Sequence, residues 1–328
     1  MTKRLAMLMV GGLMLLVGFG LMARDTVLLY TSVPIEIVTR LQKAFETAYP
    51  DIKLDIYRAG TGVIAAKIAT EKEAGRILAD LVWVADYTYL EDLKKQDLLY
   101  KYLPPEAASV PAALVDPDGY YAGGRVFTMV IAYNTNLVTD PPQRWTDLLD
   151  PKWKGELVTG NPEYSGSNVV AAAVLGMEYG LSYFHGLREN EMAVVRGNSE
   201  AAAAVIAGEY MVGLTLDNVV REQQALGLPI GMVYPEDGPI FLLSPVGIMS
   251  TSRSLEAAKT FAGYVLSVEG QQALVELGMY LPVRLDVPGP VGAPTLTDLM
   301  ASVMPYTVRE IEINKDFFSR EYLRILVE

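Results

Sequence analysis

Residues 53–84 constrain the fold of this 328-residue chain more than any other stretch. Lys53-Leu54-Asp55-Ile56-Tyr57-Arg58 alternates apolar and polar side chains, the period of a half-buried strand. Gly60-Thr61-Gly62 then turns the chain into a segment with Ile64, Ala65, Ile68 and Ala69 on one helical face and Lys67, Glu71 and Lys72 off it. Gly75 closes that helix, and Asp80-Leu81-Val82-Trp83-Val84 is the next expected buried strand. Strand, glycine turn, helix and strand make a right-handed crossover, so the sheet should be parallel and the helix should start at the carboxyl edge of its strand. Free backbone N–H groups and the positive end of the helix dipole meet there, which suits an anion. The same glycines could serve a plain tight turn, and spacing does not separate the two readings.

Met1–Met22 places Lys3 and Arg4 ahead of an apolar run, Leu5 to Met22, broken only by glycines. This pattern predicts a secretory signal peptide over residues 1–23, with cleavage after Ala23. The run is also long enough to stay as an N-terminal membrane anchor. No other stretch is apolar over that length. The chain has no cysteine, so a disulfide and a lipidated cysteine are both excluded. Removing residues 1–23 leaves 25 basic and 39 acidic side chains, a net charge of about −14. Such a surface argues against nucleic acid as a partner, and no basic stripe with interleaved aromatics occurs.

The alternation continues along the chain. Val27–Ser32 is expected as a strand, Ile35–Tyr49 as a helix, and Thr88–Lys95 as a helix after Asp86. Prolines 104, 105, 111 and 117 mark loop. Val126–Tyr133 is a long strand with no helix after it, the expected crossing into a second lobe. In that lobe the loop Asn161–Ser167 precedes a small-residue helix over Asn168–Tyr179, and Ser199 is placed as the cap of an alanine-rich helix ending at Gly208. Strand Tyr210–Leu216 ends at Asp217-Asn218. Val233–Gly238 and the strand Ile240–Met249 return toward the first lobe, helices follow from Ser254, and the tail 292–328 should pack outside. The strand ends aim short polar loops at one crevice: Thr31-Ser32, Gly60-Thr61-Gly62, Asp86, Ser165-Gly166-Ser167, Asp217-Asn218 and Glu236-Asp237-Gly238. Two of these loops open helices from different lobes, an arrangement able to clamp an anion.

Tyr30-Thr31-Ser32, the Gly-Thr-Gly helix, Ala79–Trp83, Pro151-Lys152-Trp153-Lys154-Gly155, the serine loop and Gly270-Gln271-Gln272 resemble bacterial periplasmic solute-binding proteins of ABC transporters. The resemblance runs in order through nearly all of residues 24–328, and is strongest to the type 2 cluster of ferric-iron, 2-aminoethylphosphonate and hexose-phosphate binders. It implies an α/β, two-lobed type 2 periplasmic-binding-protein fold with two hinge strands. The expected lobes are 24–125 plus 236–288, and 126–235 plus 289–328. It further implies a secreted monomer that passes a small anionic ligand to a membrane permease, without a cofactor.

Ferric binders of this cluster place two adjacent tyrosines where this chain has Asp217-Asn218-Val219-Val220, so that signature is missing. Hard oxygen donors for iron remain at Tyr30, Tyr234, Asp217 and Glu236, which keeps iron as the alternative. His185, the one histidine, falls in a predicted helix beside Phe184, where a structural role is expected. The glycine and serine loops favour the phosphonate and sugar-phosphate branch. Thr61, Ser165 and Ser167 with their backbone amides would hold a phosphoryl group. Asp217 and Glu236 would meet the ligand's other end. Asp217 could equally be a helix N-cap, and Glu236 a solvated turn residue. An enzyme lacks support: there is no cysteine nucleophile, no second histidine and no Walker-type lysine loop. A third class, a sensing module held by an uncleaved anchor, stays open.

Overall fold

A computed structural model describes residues 24–328. The signal segment 1–23 and its cleavage therefore lie outside the described residues. Strands β1 (Asp25–Thr31), β2 (Ile52–Arg58) and β3 (Leu81–Trp83) alternate with helices α1 (Ile35–Ala48), α2 (Thr61–Glu73) and α3 (Tyr87–Lys95). β1 lies parallel to both β2 and β3, as the crossover at residues 53–84 requires. Val27, Leu29, Leu54, Leu81 and Trp83 are fully buried beneath Leu41 and Phe45 of α1. Burying each such side chain contributes about 1.5–3 kcal/mol, enough in sum to hold the layer.

The chain crosses to the second lobe on β4 (Tyr121–Asn134). That lobe contains β5 (Leu157–Gly160), α4 (Gly166–Tyr179), α5 (Leu181–Glu189), β6 (Ala193–Val195), α6 (Asn198–Ala207), β7 (Val212–Leu216), α7 (Asp217–Ala225) and β8 (Ile230–Val233). It returns on β9 (Ile240–Ile248), and α8 (Leu255–Leu266) and α9 (Val268–Gly278) complete the first lobe. The sheet order is β2-β1-β3-β9-β4-β7-β5-β6, with β8 on β4. β4 changes partner along its length. Tyr121–Met129 pairs with β9, whereas Met129–Tyr133 pairs with β7 and Ile131–Asn134 with β8. β4 and β9 are thus the two strands that join the lobes of this α/β fold.

α10 (Leu296–Ser302) and α11 (Val308–Leu326) end the chain, and α11 packs on α4 and α5. The small residues of α4 make that packing possible: a β-carbon at Gly176 would lie 2.2 Å from the Phe318 ring. Three local expectations shift. β4 begins five residues before Val126, the N-cap of α6 is Gly197 rather than Ser199, and the Ser254 hydroxyl donates to Thr26 O instead of capping α8.

Candidate functional site

Five helices begin at one cleft between the lobes. Their N-caps, Pro34 (α1), Gly60 (α2), Ser165 (α4), Gly197 (α6) and Leu216 (α7), all line it, and none makes a side-chain capping bond. Asp86, Ser267, Thr295 and Thr307 do cap α3, α9, α10 and α11, which start outside the cleft. α5 and α8, also outside, lack a side-chain cap. An uncapped N-terminus leaves backbone N–H groups to find another acceptor and carries partial positive charge. At α7 the Asp217 carboxylate already takes the Asn218 N–H, and the other four starts surround a cleft of about 150 Å³ with donors.

Three guanidinium groups add to this field: Arg58 at the end of β2, Arg125 in β4 and Arg196 just after β6. Arginine ion pairs among the described residues involve Arg24, Arg144, Arg221, Arg284 and Arg324, and none of these three. Arg58 and Arg196 are exposed at the rim, whereas Arg125 is 3% exposed. Its Nε donates to Ser244 Oγ at 3.2 Å, and its guanidinium lies 4.5 Å from the Tyr280 ring centroid and 5.1 Å from that of Phe127. Burial pulls its pKa below the ordinary arginine value, against the pull of Tyr280. A bulge explains its placement. The register of β4 on β9 shifts between Gly123 and Arg125, and Gly124 tucks in so tightly that a β-carbon would lie 2.9 Å from Trp83 Nε1. Such a bulge re-aims the side chain that follows it.

The serine loop is held by α6. Asn198 Nδ2 donates to Ser167 Oγ at 2.7 Å and to Ser165 Oγ at 3.3 Å, and the two hydroxyls lie 2.9 Å apart. One hydroxyl proton can bridge the pair, which leaves the other for a ligand. Across the cleft, the Thr61 hydroxyl is buried and has no partner among the described residues. Asn218 Nδ2 donates to Gly278 O, while its Oδ1 is buried without a donor. One turn further along α7, Glu222 Oε1 is also unpartnered. Burial pushes the Glu222 pKa up to about 7, against the opposing effects of Asn218 and Arg125.

Of the residues expected from sequence, Ser32, Gly60, Thr61, Ser165, Gly166, Ser167 and Asn218 line the cleft. The others do not. Thr31 is fully buried, its hydroxyl donating to Trp83 O and accepting from Val33 N, so it ties strand ends together. Gly62 and Asp86 line a separate groove behind the 60–62 turn with Asp92 and Lys315. Asp86 caps α3 through Thr88 N, and burial raises its pKa against the pull of Lys315.

Asp217 does not line the cleft, and the N-cap of α7 is Leu216. Asp217 is the first residue of α7, fully buried, and its carboxylate is saturated. Arg221 pairs with it at 2.9 Å, and it accepts from Thr128 N, Asn218 N and Tyr234 Oη. Glu236 is an exposed surface residue paired with Arg144 at 3.0 Å. The phenols considered for iron are committed elsewhere, Tyr30 to Glu71 at 2.6 Å and Tyr234 to Asp217 at 3.0 Å. His185 is exposed on α5 and does not line the cleft.

Sequence reasoning missed Arg58, Arg125, Arg196, Asn198 and Tyr280. One signal was present: an arginine directly after Gly123-Gly124 and directly before the strand run Val126–Ala132, apolar except at Thr128. A charge beside a paired glycine at the edge of a buried strand marks a bulge with a purpose.

The family model for bacterial extracellular solute-binding proteins matches residues 77–297. A protein of Salmonella typhimurium named "Putative 2-aminoethylphosphonate-binding periplasmic protein" is 24% identical over 238 residues, 70% of this chain and 68% of its own. Among solved structures, the periplasmic binding protein AfuA of Actinobacillus pleuropneumoniae, with fructose-6-phosphate bound, superposes with a TM-score of 0.84. It is 24% identical, covering 92% of this chain and 98% of AfuA. Iron-bound HitA of Pseudomonas aeruginosa gives a TM-score of 0.82 at 22% identity, covering 91% and 99%. At such identities the structures establish a shared fold and leave the ligand to be argued from the cleft.

Proposed function

Because the chain belongs to the bacterial extracellular solute-binding protein family, we propose that it is the substrate-binding component of an ABC importer, and that its ligand is a small organic phosphate or phosphonate. It would act outside the cytoplasm as a monomer, carrying the ligand to a membrane permease. The lobes that close would be residues 24–125 with 236–288, and 126–235 with 289–328. The family is one of binding proteins rather than enzymes, so the cleft needs to hold its ligand, not transform it.

The observation that carries this reading is Arg125, a buried guanidinium in the cleft with no carboxylate paired to it among the described residues. A buried charge held without an ion pair carries a desolvation cost that the coulombic pull of Glu222 offsets in part, and an anionic ligand would reduce it further. Four uncapped helix ends, three arginines and the hydroxyl of Thr61 offer more donors than one carboxylate can accept. A phosphoryl group, with three acceptor oxygens and up to two charges, matches them better. Local donors must dominate, because a chain of net charge −12 repels anions at a distance. The Salmonella relative and AfuA, named for a phosphonate and crystallised with a sugar phosphate, agree with this class.

Titration calorimetry with 2-aminoethylphosphonate, glucose 6-phosphate and inorganic phosphate tests the proposal. Thr61→Val and Ser165→Ala should each weaken the bound anion roughly 10-fold, the equivalent of one charge-assisted hydrogen bond of about 1.5 kcal/mol. Unchanged affinity in both variants would remove the phosphoryl clamp.

A further inference from the structure

Gly60 and Gly62 have no conformational reason to be glycine. Gly60 has φ −65° and ψ 157°, open to any residue, and neither it nor Gly62 is among the positive-φ glycines. Gly62 lies inside α2, where glycine is a poorer helix former than any residue except proline. What the two share is contact with the other lobe. A β-carbon at Gly60 would lie 2.0 Å from Tyr164 O, and one at Gly62 would lie 2.3 Å from Glu163 O. Both obstacles are backbone and cannot rotate away.

The contact is reciprocal. A β-carbon at Gly166, in the second lobe, would lie 2.6 Å from Thr61 Oγ1 and 3.0 Å from Asp86 N. The turn that opens α2 and the loop that opens α4 therefore meet backbone to backbone. No ligand fits between Gly60-Gly62 and Glu163-Tyr164, and the open cleft lies to one side.

We infer that Gly60, Gly62 and Gly166 form the seat on which the two lobes close, and that their bare Cα atoms determine how far the cleft shuts. This rests on the proposed reading of the cleft as a site that closes on its ligand, and adds the residues that set its closed geometry. Full closure brings donors of the first lobe, Arg58 and Thr61, to the same space as Ser165, Ser167 and Arg196 of the second. A methyl group in the seat would hold the donors apart by more than the few tenths of an ångström a hydrogen bond tolerates.

The absence of cysteine makes the test direct. Spin labels at Glu73→Cys on α2 and Glu189→Cys on α5, both exposed, report the inter-lobe distance by pulsed EPR. Distances are compared in the wild-type and Gly62→Ala backgrounds, with and without 2-aminoethylphosphonate, beside thermal unfolding of the ligand-free proteins. The expected result is a short-distance population in the wild type that Gly62→Ala depletes, with Tm unchanged or raised, because alanine favours the helix. Affinity for any anion that binds the wild type should fall by about 10-fold or more, mainly through faster release. Gly60→Ala, at the N-cap and outside the helix body, should reproduce the depletion if Gly62→Ala proves unstable. Identical distance distributions in wild type and variants overturn the seat. A phosphonate that moves neither distribution, with the difference between wild type and variant intact, removes the ligand reading and leaves the seat in place.

Discussion

The Arg125 guanidinium lies 4.5 Å from the centroid of the Tyr280 ring and pairs with no carboxylate among the described residues. The ring offers its negative face, which offsets part of the lost hydration, but a cation–π contact is worth only about 0.5–2 kcal/mol. The remainder is a standing cost in the ligand-free protein. Replacing Arg125 should therefore separate binding from stability. Arg125→Met is expected to weaken the bound anion about 100-fold by calorimetry, while the urea midpoint of the ligand-free protein stays the same or rises. Arg125→Lys should fall between, since an ammonium keeps the charge but not the planar fork.

Asp217 should behave in the opposite way. Its carboxylate neutralises Arg221 and accepts three further hydrogen bonds, so Asp217→Ala strands a buried guanidinium. The expected loss is about 3–5 kcal/mol of folding stability in urea titrations. Anion affinity of the folded fraction should be unchanged, and a large drop in affinity would return Asp217 to the binding site.

The last helix is tied to α3 by ion pairs. Lys315 on α11 pairs with Asp92 on α3 at 2.6 Å, and Lys95 pairs with Glu312. α11 also packs on α4 and α5, so these pairs tie α3 to that helix group. Lys315 is only 7% exposed, and the coulombic pull of Asp86 and Asp92 raises its pKa despite burial. A double-mutant cycle of Lys315→Met and Asp92→Leu should return a coupling energy of about 1–3 kcal/mol. A value near zero would class the pair with ordinary surface ion pairs.

Glu222 predicts a pH dependence. Its folded pKa, about 7, lies above the unfolded value near 4.5, chiefly because burial disfavours its charged form. Between those values the folded state binds more protons than the unfolded state, so stability must fall as pH rises. Urea unfolding at pH 4.5 and 7.5 should show Glu222→Gln losing less stability than the wild type over that interval. Parallel pH profiles would contradict the assignment.

The first lobe was legible because its signals are local. Alternation in β2, the helical stripe in α2 and the buried run of β3 lie within 32 consecutive residues and imply parallel strands, which here flank β1 on either side. The insertion of β9 between β3 and β4 was not legible, since it depends on pairing Val82 with Gly247, half the chain away. The cleft divided the same way. Gly60, Thr61, Ser165 and Ser167 stand at helix starts, which a sequence announces through turns and caps. Arg125 reaches the cleft through a bulge and a ring stack, contacts between distant residues that no local period encodes. Asp217 misled for the same reason: an acid at a strand end looks available until Arg221, Tyr234 and Thr128 are seen around it.

The measurement that bears most directly on the anion-binding claim is native mass spectrometry of the protein purified without refolding, beside its Arg125→Met variant. The account predicts that the wild type retains one small phosphate- or phosphonate-bearing anion and that Arg125→Met retains none. A ferric adduct in place of the anion, or equal retention of the anion by both proteins, would contradict it.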